Sequence, residues 1–182
     1  ILISMLYVIF KMKRRKYLDV NEIVADLNNS IAGLTQPEKY VTFFHGILDI
    51  QTGIFSYTNA GHNQPYLIRS SGRYEVLDIG GTVLGFFKGI KFKKGKVKIE
   101  KEDTIVLYTD GITECKNRMD NEFGEKRFLE ILINNRSLTP DKLKEKIIDS
   151  LNVFAEGIDF SDDISLVIIK RIQLGSFYER HN

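Results

Sequence analysis

The stretch Thr104-Ile-Val-Leu-Tyr-Thr-Asp110-Gly111 is an apolar run that ends on a carboxylate and a glycine. Further along, Ser161-Asp162-Asp163 leads straight into a second apolar run, Ile164-Ser-Leu-Val-Ile-Ile169. Both runs have the length and β-branched content of buried strands. If the two strands are neighbours in one sheet, the carboxylate closing the first lies beside the pair opening the second. Buried carboxylates are costly without a positive partner. Two or three of them at one edge also repel one another unless a cation lies between. A hard, oxygen-seeking divalent cation such as Mg²⁺ or Mn²⁺ is the natural partner. Each site taken singly has a plainer explanation, because aspartate is common at turns and strand entries. The pairing shifts the reading toward metal-assisted chemistry.

Bulk properties exclude more than they select. A chain of 182 residues fits one domain, expected over residues 1–172, with a loose tail over 173–182. Its 43% hydrophobic and 27% charged content argues against a disordered or fibrous protein. The net charge of +2 selects no class of partner. One cysteine, Cys115, rules out an internal disulfide framework and makes a reducing cytoplasm the default. Three scattered histidines and no CxxC argue against structural zinc. The sequence opens on Ile1 rather than Met, as a piece of something longer would. Its apolar start, Ile1 to Phe10, is followed by Lys11-Met-Lys-Arg-Arg-Lys16. That run falls short of the roughly 20 residues a bilayer span needs. A core helix ending in basic residues that suit its dipole is preferred over the end of a transmembrane helix.

Periodicity predicts the remaining elements. Asp19 with Glu22 forms a capping box for a helix carrying Ile23, Leu27, Ile31 and Leu34, with Gly33 as a possible stop. Residues 40–50 and 54–59 form a hairpin around Asp49 to Gly53, and residues 66–69 and 74–77 form a second around Ser70-Ser-Gly72. Gly80, Gly81 and Gly85 punctuate a loop, and residues 96–99 form a further strand. Residues 123–134 and 141–154 read as amphipathic helices, the second capped by Thr139 with Pro140 at its first position. The order of elements indicates α+β, with antiparallel sheets covered by helices.

The lysine run Lys88, Lys91, Lys93, Lys94, Lys96 and Lys98 reads as a solvated strand edge rather than a nucleic-acid surface, because the chain as a whole is almost neutral. His62, in Asn59-Ala-Gly-His62-Asn63, could serve as acid, base or ligand. The plainer reading, that Gly61 permits a tight turn held by His62 and Asn63, is preferred. Cys115 reads as loop packing, since no histidine dyad is apparent.

The ordered series Tyr57-Thr-Asn-Ala-Gly-His-Asn63, Pro65, Leu84-Gly85, Leu107-Tyr-Thr-Asp-Gly-Ile-Thr-Glu114, Asn121-Glu-Phe-Gly124 and Asp162-Asp-Ile-Ser-Leu-Val167 closely resembles one family. It is similar to the bacterial SpoIIE-like branch of the metal-dependent (PPM, protein phosphatase 2C-like) serine/threonine phosphatases, over roughly residues 1–171.

The resemblance implies a protein phosphatase 2C-like β-sandwich flanked by helices. It also implies a dinuclear Mn²⁺ or Mg²⁺ centre whose activated water attacks a phosphoserine or phosphothreonine. Asp110 and Asp162 match the family's metal-holding catalytic aspartates; Gly111 and Asp163 accompany them at the metal site. The implied substrate is a phosphorylated bacterial signalling protein such as an anti-sigma-factor antagonist. No nucleic acid and no membrane span in this chain are expected, and a homodimer is left open. The implied location is cytoplasmic, either free or as part of a larger sensor. By the same resemblance, residues 1–16 and 21–33 form a switch element whose shift positions the metal ligands.

One family motif has no counterpart in this sequence: an early strand aspartate and glycine-rich turn that supply the ligand bridging both metals. The resemblance therefore implies an N-terminally incomplete domain. Three readings follow, namely a phosphatase, a degenerate or truncated phosphatase fold used as a binding module, and a membrane-proximal fragment of a sensor.

Overall fold

The computed structural model describes residues 2–13, 19–32, 40–160 and 162–172. In chain order the elements begin with α1 (Leu2–Lys13), α2 (Val20–Ile31), β1 (Phe43–Leu48), β2 (Ile54–Ala60), β3 (Tyr66–Ile68), β4 (Tyr74–Val76) and β5 (Gly80–Gly81). They continue with β6 (Gly95–Lys98), β7 (Thr104–Tyr108), α3 (Asp110–Thr113), α4 (Gly124–Asn134), α5 (Pro140–Ala155) and β8 (Leu166–Lys170). These fall into two compact units, one from residues 1–64 and 77–98, the other from 65–76 and 99–182. The predicted stop at Gly33, Leu34, the basic residues 14–16 and the tail over 173–182 lie outside the described residues.

The first unit is built on a hairpin. β1 and β2 pair antiparallel from Phe43↔Ala60 to Leu48↔Phe55. The turn forms because the Asp49 carboxylate accepts from the backbone of Gln51 and Thr52, at 2.9 and 3.1 Å, while Gly53 takes φ +75°. β6 pairs antiparallel with the other side of β2 and forms an edge bearing exposed Lys96 and Lys98. Gly80 and Gly81, expected with Gly85 to punctuate a loop, instead make β5, parallel to the end of β2. Contact distance explains it: a Cβ on Gly80 would lie 1.8 Å from the Asn59 carbonyl oxygen.

α2 starts at the predicted capping box, where the Asp19 N–H donates to Glu22 Oε2 at 3.1 Å. Its Ile23, Val24, Leu27 and Ile31 are buried with Leu6 of α1, Ala60, Leu84 and Phe92. The three- and four-residue spacing read from the sequence is the buried face.

In the second unit the strand order is β4-β3-β7-β8, antiparallel throughout. β7 is central, which is why its apolar run is nearly continuous. Val106 and Tyr108 join Tyr66, Phe128 and Leu132 of α4, and Leu143, Ile147 and Leu151 of α5, in one core. Thr139 caps α5, accepting from the Lys142 N–H, with Pro140 at the first position. β8 begins two residues later than its apolar run suggests. Over Ser165 the ladder gives way to a side chain, since the Ser165 N–H donates to Thr109 Oγ1 at 2.9 Å.

Candidate functional site

The antiparallel register Tyr108↔Leu166 brings the outgoing end of β7 against the incoming end of β8. Beyond that last rung, Thr109 fastens the two segments. Its N–H donates to Ser165 O at 3.1 Å and its hydroxyl donates to Asp163 O at 3.1 Å. Asp110 then turns into the single helical turn α3, its Oδ1 accepting from the Gly111 N–H at 3.1 Å. Gly111 passes so close to the facing segment that a Cβ on it would lie 2.7 Å from Asp163 O and 3.4 Å from Asp162 O. On the facing segment Asp162 Oδ1 accepts from the Asp163 N–H at 2.7 Å. Asp110, Gly111, Asp162 and Asp163, expected as one site, therefore lie on two abutting chain segments at one end of the β7–β8 pair. An open depression of about 580 Å³ borders Asp162 and Asp163, lined also by Ile148, Phe160 and Ile164.

The expectation of buried carboxylates is corrected. Asp110, Asp162 and Asp163 are all exposed, because each lies past a strand end, where the helices no longer cover the chain. Among the described residues no lysine, arginine or histidine forms an ion pair with any of them. Their donor set is hard anionic oxygen open to water. That suits a hydrated Mg²⁺ or Mn²⁺, which keeps several waters and takes one or two carboxylates. Among the described residues no three His, Cys, Asp or Glu side chains converge into a metal cage.

The buried carboxylate of this sheet is one that sequence reasoning did not single out. Asp103, at the opposite end of β7, is 1% exposed. It accepts from Arg69 Nη1 at 2.7 Å and from the N–H groups of Ser70 and Glu100, each at 2.9 Å. Arg69 also pairs with Glu75. Burial works against the guanidinium charge, but these carboxylates outweigh it and hold its pKa up. The available signal was an aspartate immediately before an apolar strand, the same pattern as Asp162-Asp163. Thr109 was likewise passed over, although it is the polar residue between the strand and Asp110.

His62 and Asn63 belong to the first unit. Gly61 takes φ +73°, as the tight-turn reading requires. The turn is held by Asn59, whose side chain accepts from the His62 N–H at 2.8 Å and donates to His62 O at 3.0 Å. The His62 ring lies 3.4 Å from the Thr42 hydroxyl. Cys115 is buried in the second unit's core, and burial pushes its thiol pKa up, which suits packing rather than nucleophilic attack. Tyr108 stacks on Tyr66 with ring centroids 5.7 Å apart, and burial drives its phenol far above the ordinary range.

The fold that carries this strand-end site is that of the PP2C phosphatase domains. The SiaA-PP2C domain of Pseudomonas aeruginosa superposes with a TM-score of 0.77 at 16% identity, over 93% of this chain and 67% of that one. The model of the Stage II sporulation protein E (SpoIIE) family matches residues 1–172, and the chain belongs to that family. Phosphoserine phosphatase RsbU of Bacillus subtilis (strain 168) is 28% identical over 153 residues, 83% of this chain and 45% of RsbU. Protein IcfG of Synechocystis is 30% identical over 135 residues, 72% of this chain and 21% of IcfG. The chain thus spans less than half the length of either relative.

Proposed function

We propose that the chain is part of the catalytic domain of a metal-dependent serine/threonine phosphoprotein phosphatase. Its substrate would be a phosphoserine or phosphothreonine of a bacterial signalling protein such as an anti-sigma-factor antagonist. The observation that carries this reading is the close passage of Gly111 over the Asp162–Asp163 backbone, which sets three exposed carboxylates on abutting segments, with no ion pair to any of them among the described residues. The likeness to a phosphoserine phosphatase supports the same reading.

Asp110 and Asp162, accompanied by Asp163 and the Gly111 backbone, are the groups that would hold Mn²⁺ or Mg²⁺, two ions being expected in a full site. A bound ion of this kind acidifies its water and polarises phosphoryl oxygens. The chain's own contribution is to fix where the negative oxygens stand. Thr109 ties the two strand ends, Gly111 lets them touch, and the Asp110 and Asp162 carboxylates are each oriented by the next residue's N–H.

The test is a calorimetric Mn²⁺ titration of the chain beside Asp110→Asn, with hydrolysis of a phosphoserine peptide measured in parallel. The expected result is saturable binding weakened on the order of tenfold or more in the variant, since cation affinity follows ligand charge. Negligible binding by both folded proteins would sink the reading. One observation favours a second reading, a non-catalytic binding module: among the described residues the carboxylates do not converge into a cage. Metal binding without any metal-dependent hydrolysis would support it.

A further inference from the structure

The lysine run is more than an edge guard. Lys96 and Lys98 lie on the edge strand β6, but Lys88, Lys91 and Lys93 lie in the preceding loop, which carries Phe86 and Phe87 at its tip. Phe87 is 71% exposed, Tyr40 54% and Phe86 40%. The three rings form one outward cluster, with centroids 5.3 Å apart for Tyr40–Phe86 and 6.2 Å for Phe86–Phe87.

This loop is hydrogen-bonded into its unit. The buried Asn28 side chain of α2 donates to Phe87 O at 2.7 Å and accepts from the Gly85 N–H at 3.0 Å. Asn29 accepts from the Gly89 N–H at 2.7 Å. Behind the tip Val41 and Leu84 exchange backbone hydrogen bonds at 3.0 and 2.8 Å, and Phe92 anchors the return in the core. The fold thus spends four specific hydrogen bonds or backbone pairs on presenting aromatic rings to water, where their burial would otherwise be favourable.

The charge of the segment that carries Phe86 and Phe87 selects the partner. From Ile79 to Ile99 the sequence carries lysines but no Asp, Glu or Arg. Protein interfaces enrich arginine, whose fork pairs carboxylates in fixed geometry, and deplete lysine. A diffuse anionic plane has the opposite requirement: hydrated point charges near the surface and aromatic rings that settle at the headgroup level. The rings are also exposed rather than set in a pocket that a partner would fill, the usual form of a protein hot spot.

We propose that the Tyr40–Phe86–Phe87 tip with Lys88, Lys91 and Lys93 is a docking surface for an anionic lipid bilayer, used peripherally. No described helix is long and apolar enough to cross a membrane. The docking therefore rests on surface contact: aromatic insertion at the headgroups and electrostatic attraction worth on the order of fivefold in affinity per lysine. Because α2 is hydrogen-bonded to the tip, the contact bears directly on that helix.

The chain contains no tryptophan, so Phe87→Trp introduces a single reporter. The experiment is sedimentation with vesicles of phosphatidylcholine alone and of phosphatidylcholine mixed with phosphatidylglycerol, together with Trp emission. Binding is expected only to the phosphatidylglycerol vesicles, with a blue-shifted emission and weakening as salt rises. Lys88→Glu with Lys91→Glu should lower affinity about tenfold or more, and Phe87→Ser should abolish the binding. These side chains are exposed, and a thermal melt confirms that the variants fold. Absence of vesicle binding, an unshifted emission, or full binding by Phe87→Ser each overturns the proposal. So does a Phe87-dependent dimer in solution that ignores vesicles, which would make the cluster a contact between copies.

Discussion

Gly111 stands against the backbone of Asp163 with no room for a side chain: a Cβ there would sit 2.7 Å from the Asp163 carbonyl oxygen. The obstructing atoms are backbone, so they cannot swing aside. Gly111→Ala must push the end of β7 away from the lead into β8, at a cost of about 1–3 kcal/mol for overpacking. The expected outcome is a lower melting temperature and weaker Mn²⁺ binding together. A variant that matched the parent in both would show that the close passage does not shape the site.

Asp103 separates structure from function on the same strand. It is buried with Arg69 and two backbone donors at the end of β7 remote from Asp110. Arg69 keeps Glu75, but the Ser70 and Glu100 N–H groups lose their acceptor, so Asp103→Ala should destabilise by about 1–3 kcal/mol for each of them that stays dry. Mn²⁺ affinity of the remaining folded protein should stay within error of the parent, checked by denaturant melts and calorimetry. Loss of affinity without loss of stability would contradict the assignment.

His45 makes the first unit sensitive to acid. Its Nε2 is buried without a hydrogen-bond partner among the described residues, and the ring lies 5.3 Å edge-on from Phe10 and 6.3 Å from Phe43. Burial holds its pKa below the ordinary 6.5. The unfolded chain therefore binds the proton more readily than the folded one. The stability this supplies is present above 6.5 and is lost as pH falls through the lowered value. Melting temperature should drop on acidification through that window, and His45→Phe should flatten the drop. An equal slope in both proteins would assign the acid sensitivity to other groups.

Asn59 is the residue that fixes the Gly61–His62 turn. Both the oxygen and the nitrogen of its side-chain amide are engaged with the His62 backbone, and the side chain is buried. Asn59→Ala leaves His62 N–H and C=O without that partner, at about 1–3 kcal/mol for each group that stays dry. His62→Ala should cost much less if the ring does not hold the turn. Thermal melts of the two variants decide it, and the reverse ranking would restore the role first read for His62.

Most of the architecture was legible locally. The capping box at Asp19 and Glu22, the buried stripe Ile23–Leu27–Ile31, the Asp49–Gly53 turn and the Thr139–Pro140 start of α5 all rest on contacts within a few residues. Such contacts leave their pattern directly in the sequence. The paired runs around Asp110 and Asp162 also pointed correctly to neighbouring strands. What the sequence by itself determined is therefore most of the elements, the family resemblance and the candidate carboxylates.

Tertiary structure alone decided which carboxylate is dry. Asp103 and Asp110 flank the same apolar strand and look alike in one dimension. Burial depends on what the other chain segments cover, and here Arg69, Ser70 and Glu100 close over Asp103 while Asp110 emerges past the last rung. The β5 strand, Thr109's clasp and the aromatic tip held by Asn28 are hidden for the same reason. Each is a contact between residues far apart along the chain, whose partners are fixed only when the fold sets their distances.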